Sequence, residues 1–207
     1  MTRVLLIRHC EPEPAAAGRC YGSLDFGLSE DGRAAARELA KAVRIDAVVS
    51  SPRRRALETA APLAEHNGLQ VEVDDRLREL DFGELEGLTY EDVERTRPEV
   101  YRAWMEAPTE VTFPGGESYA VLRARSLAAL DEVRARHAEG VCAIVAHGGP
   151  IRAILAGCLQ MPDSAVFRLA QSYGGVSVVD WAEGVPTVRL VNVPPAAVIL
   201  ALCSPPS

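Results

Sequence analysis

The chain has 207 residues, 48% hydrophobic and 25% charged, with a formal net charge of −7. That length builds one ordinary domain with room for an insertion, and the composition excludes disordered, collagenous, coiled-coil and disulfide-scaffold classes. An acidic chain lacks the basic face that phosphate-backbone contact requires, so no nucleic-acid partner is expected.

No apolar run reaches the roughly 18 residues of a membrane helix, so no membrane partner is expected. The start, Met1-Thr2-Arg3-Val4-Leu5-Leu6-Ile7, meets Arg8-His9 too soon for a secretory leader. The five cysteines, Cys10, Cys20, Cys142, Cys158 and Cys203, are odd in number and form no C-x-x-C pair. That pattern fits a reducing cytoplasm, without a disulfide framework or a zinc ribbon.

In chain order, Val4-Leu5-Leu6-Ile7 is a buried strand by its length and branching. Residues 11–28 hold three glycines and two prolines and read as a loop. Ser29 opens an Ala- and Arg-rich helix to about Val43. A second strand covers residues 46–50. Ser51-Pro52 starts the next helix, with Pro in its first turn, running to about His66. Residues 71–73 alternate like a short strand. Residues 77–117 are irregular, with short helices near 91–95 and 99–106, and read as a cap-like insertion in a single domain. A long helix follows to about His137, its apolar face including Ala120, Ala124, Leu127 and Leu130. Residues 141–146 form a buried strand, and Gly149-Pro150 begins a helix to about Leu159. Residues 176–181 and 187–191 read as late strands that pair with each other. The apolar run 196–203 is too short to span a bilayer and is expected on the core or on a partner subunit, leaving monomer or homodimer open.

Strands alternating with helices give an α/β fold with a mostly parallel sheet, whose ligands bind beyond the carboxyl ends of the strands. Arg8-His9 ends the first strand, Ser50-Ser51-Pro52-Arg53-Arg54-Arg55 the second, and His147-Gly148-Gly149 the fourth. Imidazoles and guanidiniums therefore converge. Guanidinium forks fit phosphoryl oxygens, and an imidazole can attack phosphorus, so the set suits phosphoryl transfer. His66 and His137 fall at helix ends, where an imidazole simply suits the dipole. A metal centre is the rival reading. The chain lacks H-E-x-x-H, and dense arginines repel a dication, so no metal or other cofactor is expected. Hydrolysis also needs a proton donor. The stretch 77–87 offers Glu79, Asp81, Glu84 and Glu86, and spacing alone selects none of them.

The ordered motifs are Arg8-His9, Ser50-Ser51-Pro52-x-x-Arg55-Ala56-x-x-Thr59-Ala60, Leu77-x-Glu79-x-x-Phe82-Gly83-x-x-Glu86-Gly87, Phe113-Pro114-Gly115-Gly116-Glu117-Ser118 and Ala146-His147-Gly148-Gly149. Together they resemble the histidine phosphatase superfamily, also called phosphoglycerate-mutase-like. The resemblance implies a three-layer α/β/α sandwich and a metal-independent phosphomonoesterase. It implies His9 as nucleophile, Glu79 as general acid and base, and Arg8, Arg55 and His147 around the phosphoryl group. The Gly148 N–H is a further expected phosphate contact. The partner implied is a small phosphorylated substrate.

Two positions depart from the family pattern. Cys10 stands where Gly is usual, raising the question of oxidant sensitivity. Ala15 stands where many members carry a phosphate-contacting Asn. The loop Cys20-Tyr21-Gly22-Ser23-Leu24-Asp25 resembles the α-ribazole phosphatase branch, which implies Tyr21 and Ser23 in substrate binding and α-ribazole 5′-phosphate or another small phosphate ester as the substrate. The alternatives are a phosphoglycerate mutase-type phosphotransferase and a non-catalytic phospho-ligand binding module.

Overall fold

The fold is that of a computed structural model describing the backbone of residues 1–202 and the side chains of residues 1–198. The strands are β1 (Thr2–Arg8), β2 (Ala47–Ser50), β3 (Val71–Val73), β4 (Gly140–Ala146), β5 (Val176–Ala182) and β6 (Val185–Val193). The helices are α1 (Glu30–Ala42), α2 (Arg54–Asn67), α3 (Tyr90–Thr96), α4 (Pro98–Glu106), α5 (Tyr119–Arg136), α6 (Gly148–Cys158) and α7 (Pro195–Leu202).

One six-stranded sheet has the order β3-β2-β4-β1-β5-β6. The first four strands in that order are parallel, β5 pairs antiparallel with β1, and β6 antiparallel with β5. Side chains alternate across a strand, and here both faces are apolar. Val4, Leu6, Val49, Cys142 and Ile144 pack with Leu130 and Val133 of α5 and Ile151 and Ile154 of α6. Leu5, Ile7, Val48, Ala143 and Val145 face the other way, onto Leu39 of α1, Ala60 and Leu63 of α2 and Val198 of α7. This is a three-layer α/β/α sandwich with a mostly parallel sheet.

The helix starts follow their caps. Ser29 accepts from the Gly32 N–H at 2.9 Å and Ser118 from the Val121 N–H at 3.3 Å. Thr89 and Asp92 form a reciprocal capping box on α3. Two expectations are corrected. Pro52 lies before α2, because the Arg53 carbonyl accepts the first helical N–H groups, from Ala56 and Leu57. The buried face of α5 is Tyr119, Leu122, Ser126, Ala129, Leu130 and Val133, while Ala120 and Ala124 are exposed. Alanines on both sides of α5 hide its periodicity, and packing against α6 selects the face with the larger side chains. A six-residue 3-10 helix at Asp163–Arg168, after Pro162, is an addition to the expected elements.

Residues 77–117 carry a cluster of their own, with Leu85, Val93, Trp104 and Phe113 buried together. The Trp104 and Phe113 rings meet edge to face at 5.2 Å. The apolar C-terminal segment is α7, which packs Val198 into the core beside α1 and β6. Cys203 lies outside the described residues.

Deep in the sheet, Asp180 is 2% exposed and holds Arg3 at 2.6 and 2.8 Å, with Arg189 at 3.1 Å. Hydrogen bonding from Arg3 holds the Asp180 carboxyl below its ordinary range. The stabilisation is therefore complete above about pH 4 and is lost as pH falls through the lowered folded value. Asp180→Asn leaves Arg3 with a weakened partner, and chemical denaturation at pH 7 should show a loss of about 3 kcal/mol.

Candidate active site

The register of β1 against β4 places Arg8 opposite Ala146, so the residues that follow, His9 and His147, emerge side by side. The His9 N–H donates to the Ala146 carbonyl at 2.9 Å, which extends the ladder by one step. The two imidazole centroids are 5.1 Å apart. His9 is 1% exposed and His147 is fully buried.

Hydrogen bonds set both tautomers. His9 Nδ1 lies 2.7 Å from the Cys10 carbonyl, which can only accept, so Nδ1 carries the proton and Nε2 a lone pair. Arg55 Nε donates to His147 Nδ1 at 3.3 Å, so the His147 proton sits on Nε2 and is donated to Ser51 Oγ at 2.8 Å. Burial lowers both histidines well below their ordinary value, and the charges of Arg55 and Arg8 act in the same direction. Both are neutral at pH 7.

Arg55 is fully buried at the start of α2. Its Nη1 donates to the Leu24 carbonyl at 2.7 Å, and Nη2 to the carbonyls of Tyr21 and Gly22 at 3.0 and 3.1 Å. One Nη1 N–H is left for a ligand by this count. Arg8 donates to the Gln171 carbonyl at 2.6 Å, lies 4.2 Å over the Tyr173 ring, and keeps a buried Nε without a partner among the described residues. The site is thus rich in unsatisfied N–H donors, as an oxyanion site must be.

A cavity of about 200 Å³ opens above these groups, and Arg8, His9, Tyr21, Glu79, Gly149 and Arg152 are among its walls. The structure separates the four acids of the 77–87 stretch. Glu79 faces the cavity. Asp81 accepts from the Gly83 N–H, Glu84 pairs with Arg97, and Glu86 accepts the N–H groups of Ser23 and Phe82. Glu79 accepts from the Gly149 N–H at 3.1 Å and the Leu80 N–H at 2.9 Å. Arg125 of α5 fixes its backbone by donating to the carbonyls of Arg76, Arg78 and Glu79 at 2.7, 2.6 and 2.9 Å.

Gly148 is buried at the head of α6, and the next residue, Gly149, is the one that meets Glu79. Ser23 lies off the cavity, its N–H being held by Glu86. Tyr21 lines the cavity, and its hydroxyl meets that of Tyr173 at 2.8 Å. Ala15 is exposed on a short 3-10 turn and off the cavity, while Arg19 from the same loop lines it. Cys10 has no left-handed backbone, so glycine is not required there. The proposed oxidant sensitivity of Cys10 is corrected: the thiol is 1% exposed, and burial pushes it up to about 11, so thiolate is scarce at neutral pH.

Sequence reasoning missed Arg125, Arg152, Tyr119 and Tyr173. Arg152 had a signal. Helical side chains lean toward the N-terminus, so a residue one turn past Gly148 covers the helix start beside His147. Tyr173 comes from a distant loop and had none.

Two outcomes follow. A Cβ on Gly149 would lie 2.3 Å from Glu79 Oε1, so Gly149→Ala must displace the carboxylate. Steady-state assays should show kcat reduced about 100-fold, the scale of an ångström-sized misplacement, with little change in Tm. Each buried neutral histidine binds fewer protons folded than unfolded below about pH 6.5. Stability should therefore fall with pH there by up to about 1.4 kcal/mol per pH unit for each of His9 and His147, and denaturant titrations from pH 7 to 5 measure it.

The chain matches the histidine phosphatase superfamily (branch 1) over residues 4–194. It is 35% identical over 196 residues to phosphoserine phosphatase 1 of Hydrogenobacter thermophilus, covering 93% of each chain. It is 38% identical over 193 residues to a glucosyl-3-phosphoglycerate phosphatase of Mycobacterium tuberculosis, covering 87% of this chain and 84% of the other. The crystal structure of the α-ribazole phosphatase from Shigella flexneri superposes with a TM-score of 0.84 at 25% identity, covering 92% and 96%. Family match and relatives extend over nearly the whole chain, and the protein belongs to branch 1 of the histidine phosphatase superfamily and is a phosphatase.

Proposed function

We propose that the protein hydrolyses a small phosphate monoester through a phosphohistidine on His9, without a metal ion. The observation that carries this reading is the Nε2 lone pair of a neutral His9 at the cavity wall, with Arg8 beside it and Glu79 lining the same cavity. In the first step Nε2 attacks phosphorus, a P–N bond forms and the ester P–O bond breaks. Glu79 in its acid form gives the leaving oxygen its proton. In the second step the Glu79 carboxylate takes a proton from water. The hydroxide so formed attacks phosphorus, the P–N bond breaks, and inorganic phosphate leaves.

Arg8 and Arg55 supply charge to the equatorial oxygens. His147 has both ring nitrogens engaged, so it reaches a phosphoryl oxygen by exchanging its Ser51 bond. Among the described residues no group of three or more His, Cys, Asp or Glu side chains could hold a metal ion.

The loop that resembles the α-ribazole branch is used mainly for structure. Cys20 is buried in the 77–117 cluster, Asp25 accepts the Arg54 N–H at 2.7 Å, and a Cβ on Gly22 would lie 1.6 Å from the Leu80 carbonyl oxygen. Tyr21 alone of these reaches the cavity. α-Ribazole 5′-phosphate therefore stands as one ester in a panel with phosphoserine, 3-phosphoglycerate and p-nitrophenyl phosphate.

Phosphate release from at least one of these should proceed unchanged in EDTA and be abolished by His9→Ala. Glu79→Gln should slow it by about 10²–10⁴-fold, most for poor leaving groups. Activity that EDTA removes, or that Glu79→Gln leaves intact on alkyl esters, would contradict the reading.

A further inference from the structure

We propose that the substrate carries a carboxylate beside its phosphate ester, held by Arg152 and Tyr119. This rests on the hydrolytic reading above and names the substrate class for that site.

Arg152 lies on α6 and folds back over the helix start, with Nη1 2.9 Å from where a Cβ on Gly148 would sit. Its Nε is anchored on the Leu169 carbonyl at 2.9 Å, and its guanidinium lies 5.4 Å from the Phe167 ring centre. Arg152 lines the cavity, and among the described residues its terminal nitrogens have no acceptor and no carboxylate within 4.0 Å. Glu79 does not fill this role, because the N–H groups of Leu80 and Gly149 hold its oxygens.

Tyr119 is the independent second observation. It is the first residue of α5, is 5% exposed and lines the same cavity, and its hydroxyl has no hydrogen-bond partner among the described residues. A buried hydroxyl without a partner is costly, so the site is built for something absent from the protein itself. Burial pushes this phenol up to about 12, which keeps it an O–H donor at neutral pH.

A planar guanidinium with a neighbouring O–H donor matches the two oxygens of a carboxylate. The pair lines the same cavity as Arg8, His9 and Glu79, so one small ligand can meet both groups. The cavity, about 200 Å³, is below the usual size for drug-like ligands, which favours a short phosphorylated acid.

The test uses 3-phosphoglycerate and glycerol 3-phosphate, which differ by a carboxylate in place of a hydroxymethyl group. Calorimetric titration into the His9→Ala protein avoids turnover. The expected result is binding of 3-phosphoglycerate about tenfold or more tighter than glycerol 3-phosphate, the scale of a charge-assisted contact. Adding Arg152→Gln or Tyr119→Phe should erase that preference while changing glycerol 3-phosphate affinity less than about twofold, and Arg152→Lys should restore part of it. Tm values of each variant confirm folding. Equal affinities in His9→Ala, binding of neither probe, or equal weakening of both by Arg152→Gln would overturn the proposal. Failure of the hydrolytic reading shows separately, as absence of phosphate release by the unaltered protein.

Discussion

The structure turns on a group of guanidiniums left without carboxylate partners inside an acidic protein. Arg8, Arg19, Arg55 and Arg152 have no ion pair among the described residues, although most surface arginines do. Arg55 is fully buried, and carbonyl oxygens and His147 satisfy it instead of an anion. Carbonyls solvate the cation without neutralising it, so the field at the cavity stays positive. Burial first, and that field with it, keeps His9 and His147 neutral, which leaves the His9 Nε2 lone pair free at neutral pH. It also attracts an anionic ester into a chain whose net charge of −7 would otherwise repel it.

The sheet is what makes this concentration possible. β1 and β4 are parallel neighbours in a register that ends both strands level, so two chemistry-bearing residues far apart in sequence share one edge. α2 then brings Arg55 in from behind, and the 77–117 segment brings Glu79 in from above. Arg125 ties that segment to α5 through three carbonyls. Glu79 in turn meets the head of α6 only because Gly149 has no side chain. Glu79 and His9 are thus held by separate elements that meet at one helix start.

Much of this was legible in the chain itself. Aliphatic runs at 4–7, 46–50 and 141–146 mark buried strands, because only a sheet covered on both faces accepts such runs. Ligands of open α/β sheets bind beyond the carboxyl ends of the strands, which points to Arg8, His9, the Arg53-Arg54-Arg55 run and His147, and the family resemblance then picks Arg55. What was not legible depended on tertiary choice. Four acids share one short stretch, and only packing decides that Glu84 turns to Arg97 and Glu86 to backbone amides while Glu79 faces the cavity. Alanines on both sides of α5 concealed its buried face, and with it Tyr119. Cys10 looked like a reactive thiol in sequence, yet burial beside Leu28 and Ala36 makes it a small core residue.

The claim on which the rest depends is that His9 itself takes the phosphoryl group. The direct measurement is peptide mapping of enzyme quenched in alkali during turnover of a phosphorus-labelled ester, since phosphohistidine survives base and is lost in acid. Nucleophilic attack by His9 Nε2 predicts label on the peptide containing His9, discharged by acid and absent from His9→Ala. Label on any other side chain, or an unlabelled His9 peptide at saturating substrate while product accumulates, would contradict it.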